Sequence, residues 1–336
     1  MKKALSILLA LTMLLSLAAC GGSKTEEPAA TEVPAATEAP AAAPTEAPAA
    51  EPTEQSNPVT VTDMTGREIT LEKPAERIVA LTASDCEILY AIGAGDKLVG
   101  RGEYCDYPAE VLDVPSVQSG YDTNVEQIIA LEPQVLLMST MAQSEEQIKA
   151  LEDAGIKVVV SDAKDIEGIY TAVEIIGKLM GKEDNAKSVI DGMKKAFDGL
   201  KEKAAGNETK TVYFEVSPLE YGLWTAGKGT FMNEVAEMMG MKNIFDDVDG
   251  YASVSVEDVI DRNPDVIVTI TMYFGEGPTP VEEILGRDGW ENVSAVKNQA
   301  ILNLVNNELS RPAPRLAEGA QMLYDFVYGE AGENAA

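Results

Sequence analysis

The chain has 336 residues, of which 45% are hydrophobic and 24% are charged, a composition typical of one or two globular domains. Its 56 acidic residues outnumber 26 basic ones and give a formal net charge of -30, which repels phosphate and argues against nucleic acid as a partner. The sequence contains no histidine, which excludes Ser-His-Asp and Cys-His nucleophiles and histidine-ligated zinc or haem. An enzyme built from this chain would need unusual catalytic machinery, so we expect a protein that is not an enzyme and that holds no cofactor and no resident metal.

The first twenty residues have the pattern of a bacterial lipoprotein signal. Lys2 and Lys3 precede an apolar segment at 4–17, and small residues stand directly before Cys20. This pattern predicts a signal peptide at 1–19 and lipidation of Cys20. No later segment reaches about 18 consecutive apolar residues, so the lipid is the membrane attachment that the sequence offers. We expect an extracytoplasmic protein anchored to the bacterial cell membrane.

Residues 20–58 differ in composition from the rest of the chain. They contain repeated Glu-Ala-Pro units, no aromatic residue and a single lysine. Proline stiffens such a segment and the glutamates repel one another, so we predict a disordered tether that follows the lipidated cysteine. The last residues, 331–336, are predicted to form a disordered tail.

From residue 59 onward, short apolar strands alternate with amphipathic helices. Strands at 60–63 and 68–71 flank a turn that contains Gly66, which predicts a β-hairpin. The elements that follow predict a parallel α/β lobe over 59–164, with Ser84 as N-cap of its first helix. The other strands predicted in this lobe are 77–81, 97–100, 135–138 and 157–160, and the helices are 85–92, 124–131 and 144–154.

The segment 165–206 has a helical apolar rhythm and no strand signal, which predicts one long helix or two consecutive helices between domains. A second α/β lobe is predicted over 207–330. Two lobes joined by a helix leave a cleft whose walls move only slightly. The strands predicted in the second lobe are 210–216, 266–270 and 300–304, and the helices are 230–239, 255–262, 280–285 and 313–327.

Two cysteines remain beyond Cys20. Cys86 and Cys105 each follow an early strand of the first lobe, and an extracytoplasmic location permits oxidation. A disulfide between them and two separate buried thiols are both compatible with the sequence, because the sequence does not specify the Cα separation that pairing requires.

The loops at the carboxyl ends of the strands are expected to line the cleft. Aromatic rings and thioethers in these loops favour contact with a macrocycle or aromatic chelating groups, and a few polar groups would fix its orientation. Core packing is the alternative for any single ring, but the clustering at loop ends favours the cleft. The candidate ligand-binding residues are Ser84, Tyr104, Tyr121, Met141, Tyr221, Trp224, Tyr251, Tyr273, Asn307 and Arg311.

Four segments carry a family resemblance. KPAERIVALTASDCEILYAIGAGDKLVGR at 73–101, CDYPAEV at 105–111, NVEQIIALEPQVLL at 124–137 and SRPAPRLAEGAQML at 310–323 resemble the substrate-binding proteins of ABC importers for iron-siderophore, haem and cobalamin. The resemblance implies two Rossmann-like lobes joined by a long rigid interdomain helix, with a ligand cleft between them. It further implies delivery of a metal chelate to a permease dimer by a monomeric binding protein. The glutamates implied to dock on permease arginines, one per lobe, are Glu126 and Glu257.

The charge of the cleft bears on the cargo. Anionic siderophores usually meet several arginines, whereas Arg311 and Arg101 are the guanidinium groups expected in this cleft. We therefore favour a corrinoid or a weakly charged iron complex over an anionic siderophore, with haem held by tyrosine as an alternative. A sensor or adhesin without a permease is a further alternative. A glycoside-cleaving enzyme would need paired carboxylates in the cleft, and the candidate residues include no Asp or Glu.

Overall fold

The computed structural model describes residues 58–120, 123–140, 144–304 and 307–329. Among these residues no helix is both long and apolar enough to cross a membrane. Several sequence predictions lie outside the described residues: the signal peptide, Cys20, the tether up to residue 57, Tyr121, Met141 and the tail.

The described chain begins with the predicted hairpin. Strands β1 (Val59–Thr62) and β2 (Glu68–Leu71) pair antiparallel, and alternate residues of each strand are buried. The carboxylate of Asp63 fixes the turn, because it accepts hydrogen bonds from the backbone N–H groups of Thr65 at 2.9 Å and Arg67 at 3.0 Å. The hairpin prediction is confirmed, with the first strand starting one residue earlier.

The first lobe contains a five-stranded parallel sheet in the order β5-β4-β3-β6-β7. Its short strand β5 was not predicted. The predicted N-cap is wrong: Thr82 caps α1, because it has an extended backbone and its side chain accepts from the Asp85 N–H, which places Ser84 inside the first turn. The strands are β3 (Ile78–Ala80), β4 (Leu98–Gly102), β5 (Ser116–Val117), β6 (Val135–Met138) and β7 (Lys157–Val160), and the helices are α1 (Ala83–Ala91), α2 (Val125–Ala130) and α3 (Glu145–Asp153).

The connection to the second lobe consists of two helices, α4 (Ile166–Leu179) and α5 (Glu183–Ala204). A single interdomain helix is therefore wrong, and the alternative of two consecutive helices is confirmed. The break occurs at Gly181, whose φ of 63° lies in the left-handed region that ends a helix. The helices pack closely at Gly177, where an added Cβ would lie 2.4 Å from the Cβ of Ala186.

The second lobe contains a sheet in the order β11-β9-β8-β12-β13, with β10 pairing with β8. Strands β8, β10, β12 and β13 are parallel, whereas β9 and β11 add an antiparallel edge that was not predicted. The strands are β8 (Thr211–Ser217), β9 (Trp224–Ala226), β10 (Lys242–Asn243), β11 (Tyr251–Ser253), β12 (Val266–Thr269) and β13 (Ile301–Asn303), and the helices are α6 (Phe231–Met238), α7 (Val256–Arg262), α8 (Pro280–Leu285), α9 (Ser294–Lys297) and α10 (Leu316–Tyr328).

One hydrophobic core continues from the first lobe into the second. It runs from the hairpin through α1, α4 and α5 to one face of the second sheet, and includes Ile78, Ile176 and Phe214. Helix α4 packs on β1 and α1, whereas α5 packs on α6 and α10. The other face of each sheet has a separate apolar cluster. The helical pair therefore packs against both lobes.

Candidate functional site

An ion-pair network joins the carboxyl ends of the two sheets. Arg311, in the segment after β13, donates from Nη1 to Asp106 Oδ1 at 2.6 Å and to Glu87 Oε1 at 3.1 Å. Its Nη2 donates to the carbonyl oxygen of Tyr104 at 3.1 Å. Arg315 donates to both oxygens of Glu87, from Nη2 at 2.6 Å and from Nε at 2.9 Å. Two guanidinium groups of the second lobe thus converge on one carboxylate of the first.

Most of the network is buried, and it contains more negative than positive groups. The side chains of Glu87, Arg311 and Arg315 are 2%, 11% and 8% exposed, so solvent screens their charges weakly. Burial by itself would lower the pKa of Arg311, but hydrogen bonds to Asp106 and Glu87 raise that pKa above its ordinary value. A third carboxylate, that of Glu308, lies 3.9 Å from Arg315 Nη1. The described side chains of the network therefore carry no net positive charge.

Trp224 and Tyr251 form an exposed aromatic surface on the second lobe. They begin β9 and β11, which pair antiparallel with Ser253 opposite Trp224 and Tyr251 opposite Ala226. Because residues two apart on a strand share a face, the two rings are diagonal neighbours on one face of the sheet. The two residues are 42% and 44% exposed. Both rings are thus partly exposed and lie on regular backbone, and partial burial raises the pKa of the Tyr251 phenol to about 12.

Three other predicted tyrosines follow strands at the carboxyl edges of the sheets. Tyr104 comes after β4, and Tyr221 ends a short 3₁₀ turn after β8, with both rings exposed. Tyr273 follows β12 and donates its hydroxyl to the Gly277 carbonyl oxygen at 3.2 Å. Phe274 beside it is also exposed and was not predicted. The exposed rings therefore come from both lobes.

The predicted polar residues of the cleft are held by local hydrogen bonds. Asn307 has a left-handed φ of 63°, and its Oδ1 lies 3.2 Å from the Ser310 hydroxyl, so it shapes the turn that leads to Arg311. Arg101, which the sequence placed among the cleft guanidinium groups, donates instead to the carbonyl oxygen of Val114 at 3.2 Å. Its role in this structure is to hold the segment before β5.

Ser84 lines a small cavity of about 60 Å³ at the lobe boundary, together with Pro312 of the second lobe. Asp85 also lines this cavity, is 1% exposed, and accepts hydrogen bonds from the hydroxyls of Thr82 and Ser161. Burial raises the pKa of Asp85 to about 6 although these hydrogen bonds oppose the shift. The cavity therefore contains a carboxyl group that changes its charge near pH 6.

Cys86 and Cys105 lie side by side in the first lobe. Both are buried, and their Sγ atoms lie 3.8 Å and 3.9 Å from the carbonyl oxygen of Ala80. The hydrogen bond with Cys105, together with burial, raises the pKa of the Cys86 thiol well above its usual value. The two sulphur atoms are unbonded in this structure, and a disulfide stays one of the two alternatives that the sequence allows.

Two lobes with facing carboxyl edges and a helical connection also occur in known proteins. A family model described as periplasmic binding protein matches residues 78–307, which is more than half of the chain. The chain belongs to the periplasmic binding protein family. This result confirms the family and the two-lobed α/β fold that the sequence indicated.

Relatives of this periplasmic binding protein cover most of its length. An uncharacterized ABC transporter substrate-binding lipoprotein of Bacillus subtilis, YvrC, is 37% identical over 81% of this chain and 86% of the relative. A vitamin B12-binding protein of Vibrio cholerae is 27% identical over 76% of this chain and 90% of the relative. The crystal structure of a possible iron-binding (periplasmic solute-binding) protein from Staphylococcus epidermidis, 35% identical, matches with a TM-score of 0.64 over 76% of this chain and 100% of that chain.

In this periplasmic binding protein the two predicted docking glutamates occupy equivalent positions. Glu126 and Glu257 are exposed and lie in the first turns of α2 and α7. Each helix is followed at the same spacing by a left-handed residue directly before a proline, Glu132 with φ 49° in the first lobe and Asn263 with φ 46° in the second. The segments are thus internal structural equivalents, as their sequences suggested.

The partners of Arg311 were not found from the sequence. Asp106 and Glu87 lie in segments that carry the family resemblance, as does Arg315, which pairs with the same Glu87, but no local pattern reveals a partner on the other lobe. The expectation that the cleft residues include no Asp or Glu is corrected, because Glu87 and Asp106 lie at the lobe boundary. Within the described ranges, no group of three or more Cys, Asp or Glu side chains is placed to hold a metal ion.

Proposed function

We propose that this chain captures a metal chelate in the cleft between its lobes and delivers it to the permease of an ABC importer. The observation that carries the proposal is the exposed pair Trp224 and Tyr251 on one face of the β9-β11 edge. Exposed apolar surface that is held in place usually marks a binding site, and flat rings suit a macrocycle or aromatic chelating groups. The name of the B. subtilis relative, an ABC transporter substrate-binding lipoprotein, supports the same function.

A corrinoid is the cargo that we favour among metal chelates. Two features support it: the V. cholerae relative is named a vitamin B12-binding protein, and Arg311 is already paired with Asp106 and Glu87. A ferric siderophore of low charge fits the same features. The second candidate is haem, which the exposed phenol groups of Tyr104 and Tyr221 would favour as iron ligands.

Protein purified with its native ligand distinguishes these cargoes. Corrinoid, haem and ferric siderophore differ in absorption spectrum and mass, so an absorption scan and an intact-mass measurement identify which one is bound. Ligand-free protein is then titrated with cyanocobalamin, haemin and a neutral ferric hydroxamate. We expect saturable binding of cyanocobalamin. Failure to bind any of the three would reject the proposed function.

The aromatic pair provides a mutational test of the same cleft. Trp224→Ala and Tyr251→Ala should each weaken cargo binding by about 1–3 kcal/mol, since each removes apolar surface that the cargo covers. The melting temperature of the empty protein should change little, because both residues are partly exposed. Met322→Ala, which shortens an exposed apolar side chain on α10, is the matched control and should retain full affinity. Loss of stability with unchanged affinity would instead make the two rings structural.

The anchor and the docking surface complete the proposal. We assign lipidation to Cys20, which would hold the binding protein outside the cytoplasm at the bacterial membrane. We propose that the protein acts there as a monomer. Glu126 and Glu257 would each contact arginines of one permease subunit, because rim charges guide encounter and orientation between proteins. A sensor or adhesin that keeps the cargo site but has no transporter is the alternative, and it requires neither glutamate.

A further inference from the structure

The hydrogen bonds of Arg311 determine what this guanidinium group offers to a ligand. Its Nη1 is shared between Asp106 and Glu87, and its Nη2 donates to the Tyr104 carbonyl oxygen. A guanidinium binds an anionic group best through two parallel N–H donors, the geometry that carboxylates and phosphates also use. In this structure both terminal nitrogens of Arg311 already donate hydrogen bonds to oxygen atoms of the first lobe.

The two acidic partners of Arg311 differ in how freely they could give way to a ligand. Glu87 is 2% exposed in its side chain and also accepts two hydrogen bonds from Arg315, so its removal would leave buried positive charge. Asp106 is 46% exposed and pairs with Arg311 from a loop after β4. Asp106 is therefore the partner that can be altered without disrupting the buried part of the network.

Charge compensation in the network has a consequence for ligands. An anion that approaches Arg311 meets Asp106 and Glu87 as well, and must either displace a carboxylate or accept the repulsion of two. A neutral ligand meets neither penalty. Unpaired or like charges at a binding site are a common means of rejecting the wrong ligand.

We propose that Asp106, supported by Glu87, is a specificity-determining residue that neutralises Arg311 and makes the cleft select against anionic chelates. The inference rests on the proposed function, since it concerns the cargo of the same cleft. Besides joining the two lobes, Asp106 and Glu87 would then determine whether the cleft accepts a neutral or an anionic cargo.

The test uses two pairs of chelates that differ in charge. The first pair is cyanocobalamin and its monocarboxylate derivative, which share one frame and differ by one negative charge. The second pair is a neutral ferric hydroxamate and a trianionic ferric tris-catecholate. Dissociation constants are measured by titration for the wild-type protein and for Asp106→Asn, Asp106→Glu and Asp153→Asn. Asp153 pairs with Lys149 on the surface of α3 and provides the same change of charge away from the network.

We expect wild-type protein to bind the neutral member of at least one pair at least tenfold more tightly than its anionic partner. In Asp106→Asn this preference should fall about tenfold, the factor that corresponds to about 1.4 kcal/mol. Asp106→Glu should restore the preference, and Asp153→Asn should keep it unchanged. A melting temperature for each variant verifies folding.

The outcomes separate the two proposals. Equal binding of neutral and anionic members by wild-type protein would overturn the charge selection while leaving the cargo function in place. If Asp106→Asn retains the full preference for neutral chelates, the charge selection is likewise overturned and the cargo function stays in place. If no member of either pair binds to wild-type protein, both the proposed function and the charge selection are rejected.

Discussion

At the scale of single residues, two buried aspartates show how the hydrogen bonds that a carboxylate accepts compete with burial to set its pKa. Burial would raise the pKa of Asp63, but hydrogen bonds from the Thr65 hydroxyl, from backbone N–H groups and from the Arg67 guanidinium at 2.9 Å together lower it. Asp85 receives hydroxyl groups from Thr82 and Ser161, and here burial prevails and raises the pKa. Asp63 accepts more hydrogen bonds than Asp85 does, and this difference accounts for the opposite directions.

The raised pKa of Asp85 predicts a pH dependence of stability. The pKa is about 6 in the folded protein against an ordinary value of 3.8, so the folded state binds the proton more tightly between these values. Asp85 therefore adds to the free energy of unfolding below about pH 4. This stabilisation, up to about 3 kcal/mol, is lost as the pH rises from 4 to 6. Urea unfolding from pH 4 to 7 should show that wild-type protein loses stability relative to Asp85→Asn over this range. Parallel profiles of the two proteins would show that Asp85 does not titrate there.

At the scale of elements, the α4-α5 pair depends on close approach of two helices. Gly177 has no side chain, which allows Ala186 of α5 to pack directly against the α4 backbone. Gly192 lies within α5 but has open space beside it, with nothing within 4 Å of an added Cβ. The two glycines therefore have the same helical context and opposite steric surroundings.

This contrast predicts opposite effects of one substitution. Gly177→Ala should destabilise the protein by about 1–3 kcal/mol, because the new methyl group would lie 2.4 Å from the Ala186 Cβ and would force the helices apart. Gly192→Ala should stabilise it by about 0.5–1 kcal/mol through helix propensity. Denaturant midpoints of the two variants provide the measurement. If Gly177→Ala also stabilises, the helices do not pack at this point.

At the scale of the whole molecule, each lobe presents one glutamate at an equivalent place. An acid in the first turn of a helix also complements the helix dipole, which is worth about 0.3–1 kcal/mol and needs no partner. Helix α3 has such a residue in Glu146, at the same helical position as Glu126. The effects on uptake of replacing Glu126 and of replacing Glu146 therefore distinguish docking on a permease from a purely local role.

The docking assignment predicts loss of transport with retained binding. Glu126→Arg combined with Glu257→Arg should abolish uptake of the cargo by cells, because reversed charges would repel permease arginines. Cargo affinity and melting temperature of the purified double variant should match those of wild-type protein. Glu146→Arg should leave uptake intact. Normal uptake by the double variant would contradict the docking assignment and favour a protein that works without a permease.

Much of the fold was accessible from local sequence. Strands β6 and β7 were predicted with their observed bounds, because buried parallel strands are continuous apolar runs. Helix α8 was also predicted correctly, since Thr279 and Glu282 form a capping box with a proline in the first turn. Strands β9 and β11 were missed, because three residues that include an exposed Trp224 or Tyr251 show no strand pattern.

The sequence by itself determined the family, the two α/β lobes, the helical connection and the set of aromatic candidates, since periodicity, capping and family motifs are properties of neighbouring residues. Only the tertiary structure decided that Trp224 and Tyr251 share one face of the β9-β11 edge and that Arg311 pairs with Glu87 and Asp106. Glu87 and Arg311 are 224 positions apart, and no local pattern encodes a contact between them. Their hydrogen bond exists because the packing of α4 and α5 brings the carboxyl edges of two sheets together, and that packing is a property of the folded molecule.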